Sequence, residues 1–162
     1  MASPTQAADT IVSNLESLSK LLITTTTLQD WTLQTTQGRL FLSHLTLDFH
    51  MAFSTFTDTE TNIFQFFENH RQKFAEHPWF TIEPVSVYTD IDLGTNLATV
   101  YLNISVAETP NSRVDGYMQF QWAREADAWK NGDEDHSLHW AGGPPWRCYK
   151  IHMMRGTPAL FG

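Results

Sequence analysis

Ile11, Leu15, Leu18 and Leu22 recur at the spacing of one helix face. Ser3, Pro4 and Gln6 supply a cap, a first-turn proline and the closing partner of a capping box. The run Thr24 to Thr27 predicts the end of that helix, because consecutive β-branched residues lose side-chain freedom there. Residues 28–37 read as a connector, and a short helix over 38–44 turns Leu40, Phe41 and Leu45 inward. From Leu47 to Ser54 the pattern alternates, with Phe49, Met51 and Phe53 on one face and His50, Ala52 and Ser54 on the other, which predicts a half-buried strand. Thr57 and Glu60 form a capping box ahead of a third helix carrying Ile63, Phe66, Phe67 and Phe74 on one side. His77-Pro78 ends it.

The remainder reads as strands over 81–91, 97–106, 114–124 and 146–154, with turns at 92–96 and 109–112. Ala98, Val100, Leu102, Ile104 and Val106 share one face, and Met118, Phe120 and Trp122 share another. The connection over 125–145 holds Asp127, Asp133, Glu134 and Asp135, and its length predicts a lid or a disordered segment. Helices followed by an antiparallel run predict an α+β fold. The expectation is one domain over residues 1–162: a curved, cone-shaped antiparallel sheet with the helices packed on its concave face around an apolar pocket.

Composition sharpens this picture. Apolar residues make up 41% and charged residues 17%, enough to bury a core. Eleven Phe, six Trp and four Tyr imply an aromatic core or a pocket lined by ring faces. A net charge of −8, with the ten Lys and Arg scattered, argues against nucleic acid and against an anionic membrane as partners. The lone Cys148 precludes an intrachain disulfide and suits a reducing compartment, so a cytoplasmic location is expected. Neither a secretory leader nor a membrane-spanning run is evident in the sequence.

Four segments carry a family resemblance: Leu42 to His50, Asn62 to Phe67, Tyr117 to Trp122 and Trp146 to Ile151. Their pattern and order resemble the nuclear-transport-factor-two-like superfamily, especially its SnoaL-like enzymes of the fungal biosynthetic type. The resemblance implies a cone-shaped pocket of the kind that hosts dehydratases, isomerases and polyketide cyclases. It also implies pairing of two copies through the sheet, and some such proteins only bind or dimerise. Phe53 and Met118 stand where ketosteroid-isomerase-like members place acidic residues, and the first helix has no Tyr, so that mechanism is not carried over.

Phosphate loops, dinucleotide fingerprints, hydrolase elbows and paired-Cys zinc motifs are absent from the sequence, leaving acid/base chemistry without cofactor or metal as the natural enzyme class. His50 with Asp48, about 7 Å apart along one strand face, Tyr88 as a hydrogen-bond donor and His139 from the long connection are the catalytic candidates. The alternation argument counts against His50, since it turns Phe49, Met51 and Phe53 toward the pocket. Phe49, Met51, Phe53, Phe67, Trp79, Met118, Phe120 and Trp122 are candidates to line a pocket, the alternative being that they only fill the core. His70 reads as a hydrogen-bonded core or rim group, Tyr101 as an interface residue and Cys148 as a small buried one. His136 and His139 beside Asp133, Glu134 and Asp135 have metal-ligand spacing, with a solvated acidic loop as the alternative. The leading expectation is an isomerase, cyclase or dehydratase acting on a small hydrophobic polyketide or terpenoid intermediate. The alternative is a non-catalytic binding or dimerisation module.

Overall fold

Helix α1 (Pro4–Thr27) buries Ile11, Leu15, Leu18 and Leu22 almost completely, the stripe set by their spacing. It continues through the threonine run, where the hydroxyls bond back to the helix and Thr25 is buried: Thr25 Oγ1 donates to Leu21 O at 2.7 Å and Thr26 Oγ1 to Ile23 O at 2.7 Å. The structure, a computed structural model, describes residues 4–54, 58–125, 140 and 143–155. After α1 the chain turns at Gln29, in the left-handed region with φ 56°. Asp30, buried, then accepts from Gln34 N, Thr35 N and Thr35 Oγ1 at 2.8, 2.8 and 2.6 Å. That network sets Thr35 as the N-cap of α2 (Thr36–Ser43).

The sheet has six strands: β1 (Leu45–Ser54), β2 (Asp58–Thr61), β3 (Thr81–Asp92), β4 (Leu97–Thr109), β5 (Ser112–Arg124) and β6 (Trp146–Arg155). Their order is β2-β1-β6-β5-β4-β3, and the curved sheet does not close. The β3 to β6 meander is antiparallel, as the sequence predicts. The β1–β6 pair is parallel, a pairing that the long intervening chain permits. Residues 58–61 are strand β2 rather than the start of the next helix. Helix α3 (Ile63–Glu76) is capped by Asn62, whose side chain accepts from Gln65 N at 2.8 Å. Glu60, the closing partner of the expected capping box, pairs with Ala52 across β1 and β2 instead, and Thr57 lies outside the described residues.

Bulges re-aim two strands. In β6, Lys150 faces Gln121 but Cys148 faces Trp122, leaving Tyr149 without a partner. The alternation therefore flips: Trp146 and Cys148 point inward, and His152 lies two residues from Lys150 on the outer face. In β1, five positions from Leu45 to His50 span two positions of β6, and Leu47 is thrust into solvent.

The concave face carries Val100, Leu102, Met118, Phe120, Trp122 and Ile151 against α1, all fully buried. Trp122 Nε1 donates to Ser19 Oγ of α1 at 3.2 Å, a buried tie between helix and sheet. Among the described residues no helix is long and apolar enough to cross a membrane.

Candidate functional site

Helix α3 lies across one end of the sheet and does not fill it. Beneath it is a cavity of about 330 Å³, near the lower end of small-molecule sites. Its strand walls, Phe53, Ile82, Ile104, Val106 and Met153, are apolar, as is Phe80 just ahead of β3. Its polar groups, Asn69, His70 and Lys73, all come from α3, at spacings that place them along one helix flank beside Phe66.

His70 is the distinctive member. Its ring lies 4.2 Å from that of Phe66 and 5.7 Å from that of Phe80. Nδ1 is 3.1 Å from Phe66 O; a carbonyl only accepts, so Nδ1 carries the proton. Nε2 is then a lone-pair acceptor, and it has no hydrogen-bond partner among the described residues. Burial pushes the pKa of His70 down to about 4, outweighing the Phe66 hydrogen bond and assisted by the nearby Lys73 charge. Near neutral pH the imidazole is uncharged. Lys73 Nζ sits 5.0 Å over the Phe80 ring.

A second cavity of about 190 Å³ adjoins the same histidine. Thr26, Thr27, Gln29, Trp31, Phe74 and Thr81 line it, and it shares His70, Phe80 and Ile82 with the first.

The candidates named from sequence are scattered. Asp48 is exposed, and His50 lies half-buried on the outer face with Nδ1 3.5 Å from the main-chain oxygen of Asp48. Tyr88 is 65% exposed on the outer face of edge strand β3, its ring 6.0 Å from that of Tyr101. His139 and the acidic cluster with His136 lie outside the described residues. The described flanks of that connection, Arg124 and Trp146, stand at the opposite end of the sheet. At about 3.3 Å per residue, Met153 is roughly 20 Å along β6 from Trp146.

Of the aromatic and apolar candidates, Phe53 lines the cavity, stacked 6.1 Å from Phe66. Met51, Phe67, Met118, Phe120 and Trp122 are wholly buried in the packed core, and Phe49 is half-buried against it. Trp79 is 42% exposed, its ring 5.5 Å from that of His77. The sequence marks His70 as a core or rim group and not as a cavity-lining one. The available signal was its place one turn after Phe66 and three residues before Lys73, which puts all three on one flank of α3. Among the described residues no group of three or more His, Cys, Asp or Glu could hold a metal ion.

No family model matches the sequence, and no curated protein matches it. Solved structures do match. Kfla4162 from Kribbella flavida superposes with a TM-score of 0.59 at 15% identity, over 93% of each chain. A candidate dehydratase of the NTF2-like family from Streptomyces avermitilis gives 0.55 at 11% identity, over 93% of this chain and 99% of that one. The S. rosetta CaMKII hub gives 0.55 at 10% identity, over 96% and 99%. The helices laid over a curved six-stranded sheet, together with these superpositions, establish that this chain has the α+β fold of the nuclear-transport-factor-two-like proteins.

Proposed function

We propose that this chain binds a small, predominantly apolar molecule beneath α3 and moves a proton on it, as a cofactor-independent isomerase, cyclase or dehydratase of polyketide or terpenoid intermediates. The observation that carries this reading is His70: a neutral imidazole in an apolar cavity, its Nδ1 proton committed to Phe66 and its Nε2 lone pair uncommitted. A C–H beside a carbonyl, or an O–H, brought to Nε2 can pass its proton there. The Lys73 ammonium and the Asn69 amide stand on the same wall, where they can stabilise negative charge developing on the substrate oxygen. Low dielectric strengthens both effects.

A second reading, binding without chemistry, is favoured by the depressed basicity of His70, since a general base works best with a pKa near the operating pH. One experiment separates the two. 2-Tetralone incubated with the protein in D2O is expected to exchange its α-hydrogens faster than in buffer, and His70→Gln is expected to abolish the excess. Binding of 2-tetralone without excess exchange decides for the second reading, and absence of binding removes both.

We further propose that two copies pair through the outer sheet face, where Tyr88 and Tyr101 lie opposed across β3 and β4.

A further inference from the structure

We infer that the two cavities form one bipartite site. Its ligand has an apolar body, a short uncharged polar arm, and its hydrogen-bonding or reacting group at the joint between them. The inference rests on the proposed reading of His70 and adds the form of the ligand.

Three observations carry it. First, the cavities share His70, Phe80 and Ile82, so a molecule reaching from one into the other passes the imidazole. Its atoms at the junction are then the ones placed against His70.

Second, the two chambers differ in chemistry. The larger is walled by Phe53, Phe66, Ile104, Val106 and Met153, and suits rings or branched hydrocarbon. The smaller presents Thr26, Thr27, Gln29 and Thr81, with no charged side chain. Thr27, Gln29 and Thr81 are exposed, so a charged arm placed there would keep part of its hydration, but it would gain no counter-charge from the chamber wall. A hydroxyl or amide finds donors and acceptors. The Thr26 hydroxyl proton is committed to Ile23 O, which leaves its oxygen as an acceptor. The side chains of Thr27, Gln29 and Thr81 make no hydrogen bonds among the described residues.

Third, the backbone is bent to build this chamber. Gln29 holds φ 56°, in the left-handed region that residues with a side chain rarely adopt. Its N–H closes on Thr26 O at 3.0 Å, ending α1 with Thr26, Thr27 and Gln29 all on the chamber wall.

The test uses three matched probes and isothermal titration calorimetry. 2-Naphthylmethanol carries the body and a hydroxyl at the joint. 1-(2-Naphthyl)propane-1,3-diol adds a neutral arm, and 3-hydroxy-3-(2-naphthyl)propanoate makes that arm an anion. The diol is expected to bind about tenfold more tightly than 2-naphthylmethanol, equivalent to about 1.4 kcal/mol, and the carboxylate no more tightly than 2-naphthylmethanol. Thr27→Trp, which fills the smaller chamber, is expected to erase the diol's gain and leave 2-naphthylmethanol within twofold. Thr81→Trp gives the same readout from the facing strand should Thr27→Trp fail to fold. A diol with no gain, or a gain that survives a filled chamber, overturns the bipartite site while the cavity reading stands. Failure of every probe to bind overturns the cavity reading and this inference together.

Discussion

The Nδ1 of His70 is held 3.1 Å from the carbonyl oxygen of Phe66, one helical turn earlier, inside an apolar cavity. This bond fixes the tautomer, and burial suppresses the charge. The folded-state pKa of about 4 lies below the roughly 6.5 of a free histidine. The unfolded chain therefore binds the proton first as pH falls. The stability associated with neutral His70 is fully present above about pH 6.5 and is lost as pH drops toward 4, by about 3 kcal/mol in all. Urea unfolding of the parent and of His70→Gln at pH 7 and pH 4.5 measures it. The parent is expected to lose roughly 2 kcal/mol more than the variant over that interval. Equal losses would mean the imidazole is not held neutral.

Much of this architecture is readable in the sequence because it follows from periodicity. Ile11, Leu15, Leu18 and Leu22 fix α1, and the alternation of Val100, Leu102 and Ile104 fixes the inner face of β4. The features that escaped are those that break periodicity or depend on distant residues. The bulge at Tyr149 costs one residue and moves His152 to the opposite face from Cys148. Glu60 belongs to the capping-box signature with Thr57, yet β1 recruits residues 58–61 as a strand. The cavity depends on the side chains of Phe53, Ile104 and Met153 leaving space under α3, and no local pattern encodes that shortfall. For the same reason His70 resembles an ordinary rim histidine until its surroundings are assembled.

Gly38 in α2 is required by close packing. A Cβ there would overlap Asp30 Oδ2 and stand 3.0 Å from the Cα of Leu33. Asp30 cannot retreat without breaking its bonds to Gln34 and Thr35. Gly38→Ala is therefore expected to destabilise by about 2 kcal/mol, although alanine favours helix elsewhere. Thermal unfolding followed by circular dichroism checks the sign, and an alanine variant as stable as the parent would refute the packing account.

Arg124 closes the end of the sheet away from the cavity. Its Nε donates to Pro144 O at 3.1 Å and its Nη2 to Trp140 O at 2.9 Å, with the guanidinium 5.7 Å from the Trp146 ring. A lysine ammonium has donors enough for two carbonyls but lacks the planar fork whose separate nitrogens reach Pro144 O and Trp140 O here. Arg124→Lys is expected to recover less than half of the roughly 2 kcal/mol lost in Arg124→Ala, as read by urea unfolding. Because this end is remote from α3, the affinity for 2-naphthylmethanol should change little in either variant.

Cys148 is fully buried, and burial pushes its thiol pKa up. The thiolate, the reactive form, is therefore scarce as well as shielded. A disulfide reagent is expected to leave the native protein untouched and to titrate one thiol after denaturation. Rapid labelling in native buffer would show that β6 opens readily beside Trp122.

Self-association places the outer sheet face under the most direct test. Tyr88, at 65% exposure, and Tyr101 present paired rings on a face that also carries Asn103, Tyr117, Gln119, Gln121, Lys150 and His152. Aromatic groups are enriched in the buried centres of interfaces. Removing the outermost ring should weaken pairing without touching the core, because Tyr88 packs on no buried side chain of the concave face. Light scattering behind size exclusion is expected to give a dimer for the parent and a lower-mass, concentration-dependent species for Tyr88→Ser, with unfolding curves otherwise alike. A parent that remains monomeric at every concentration tested eliminates pairing through this face.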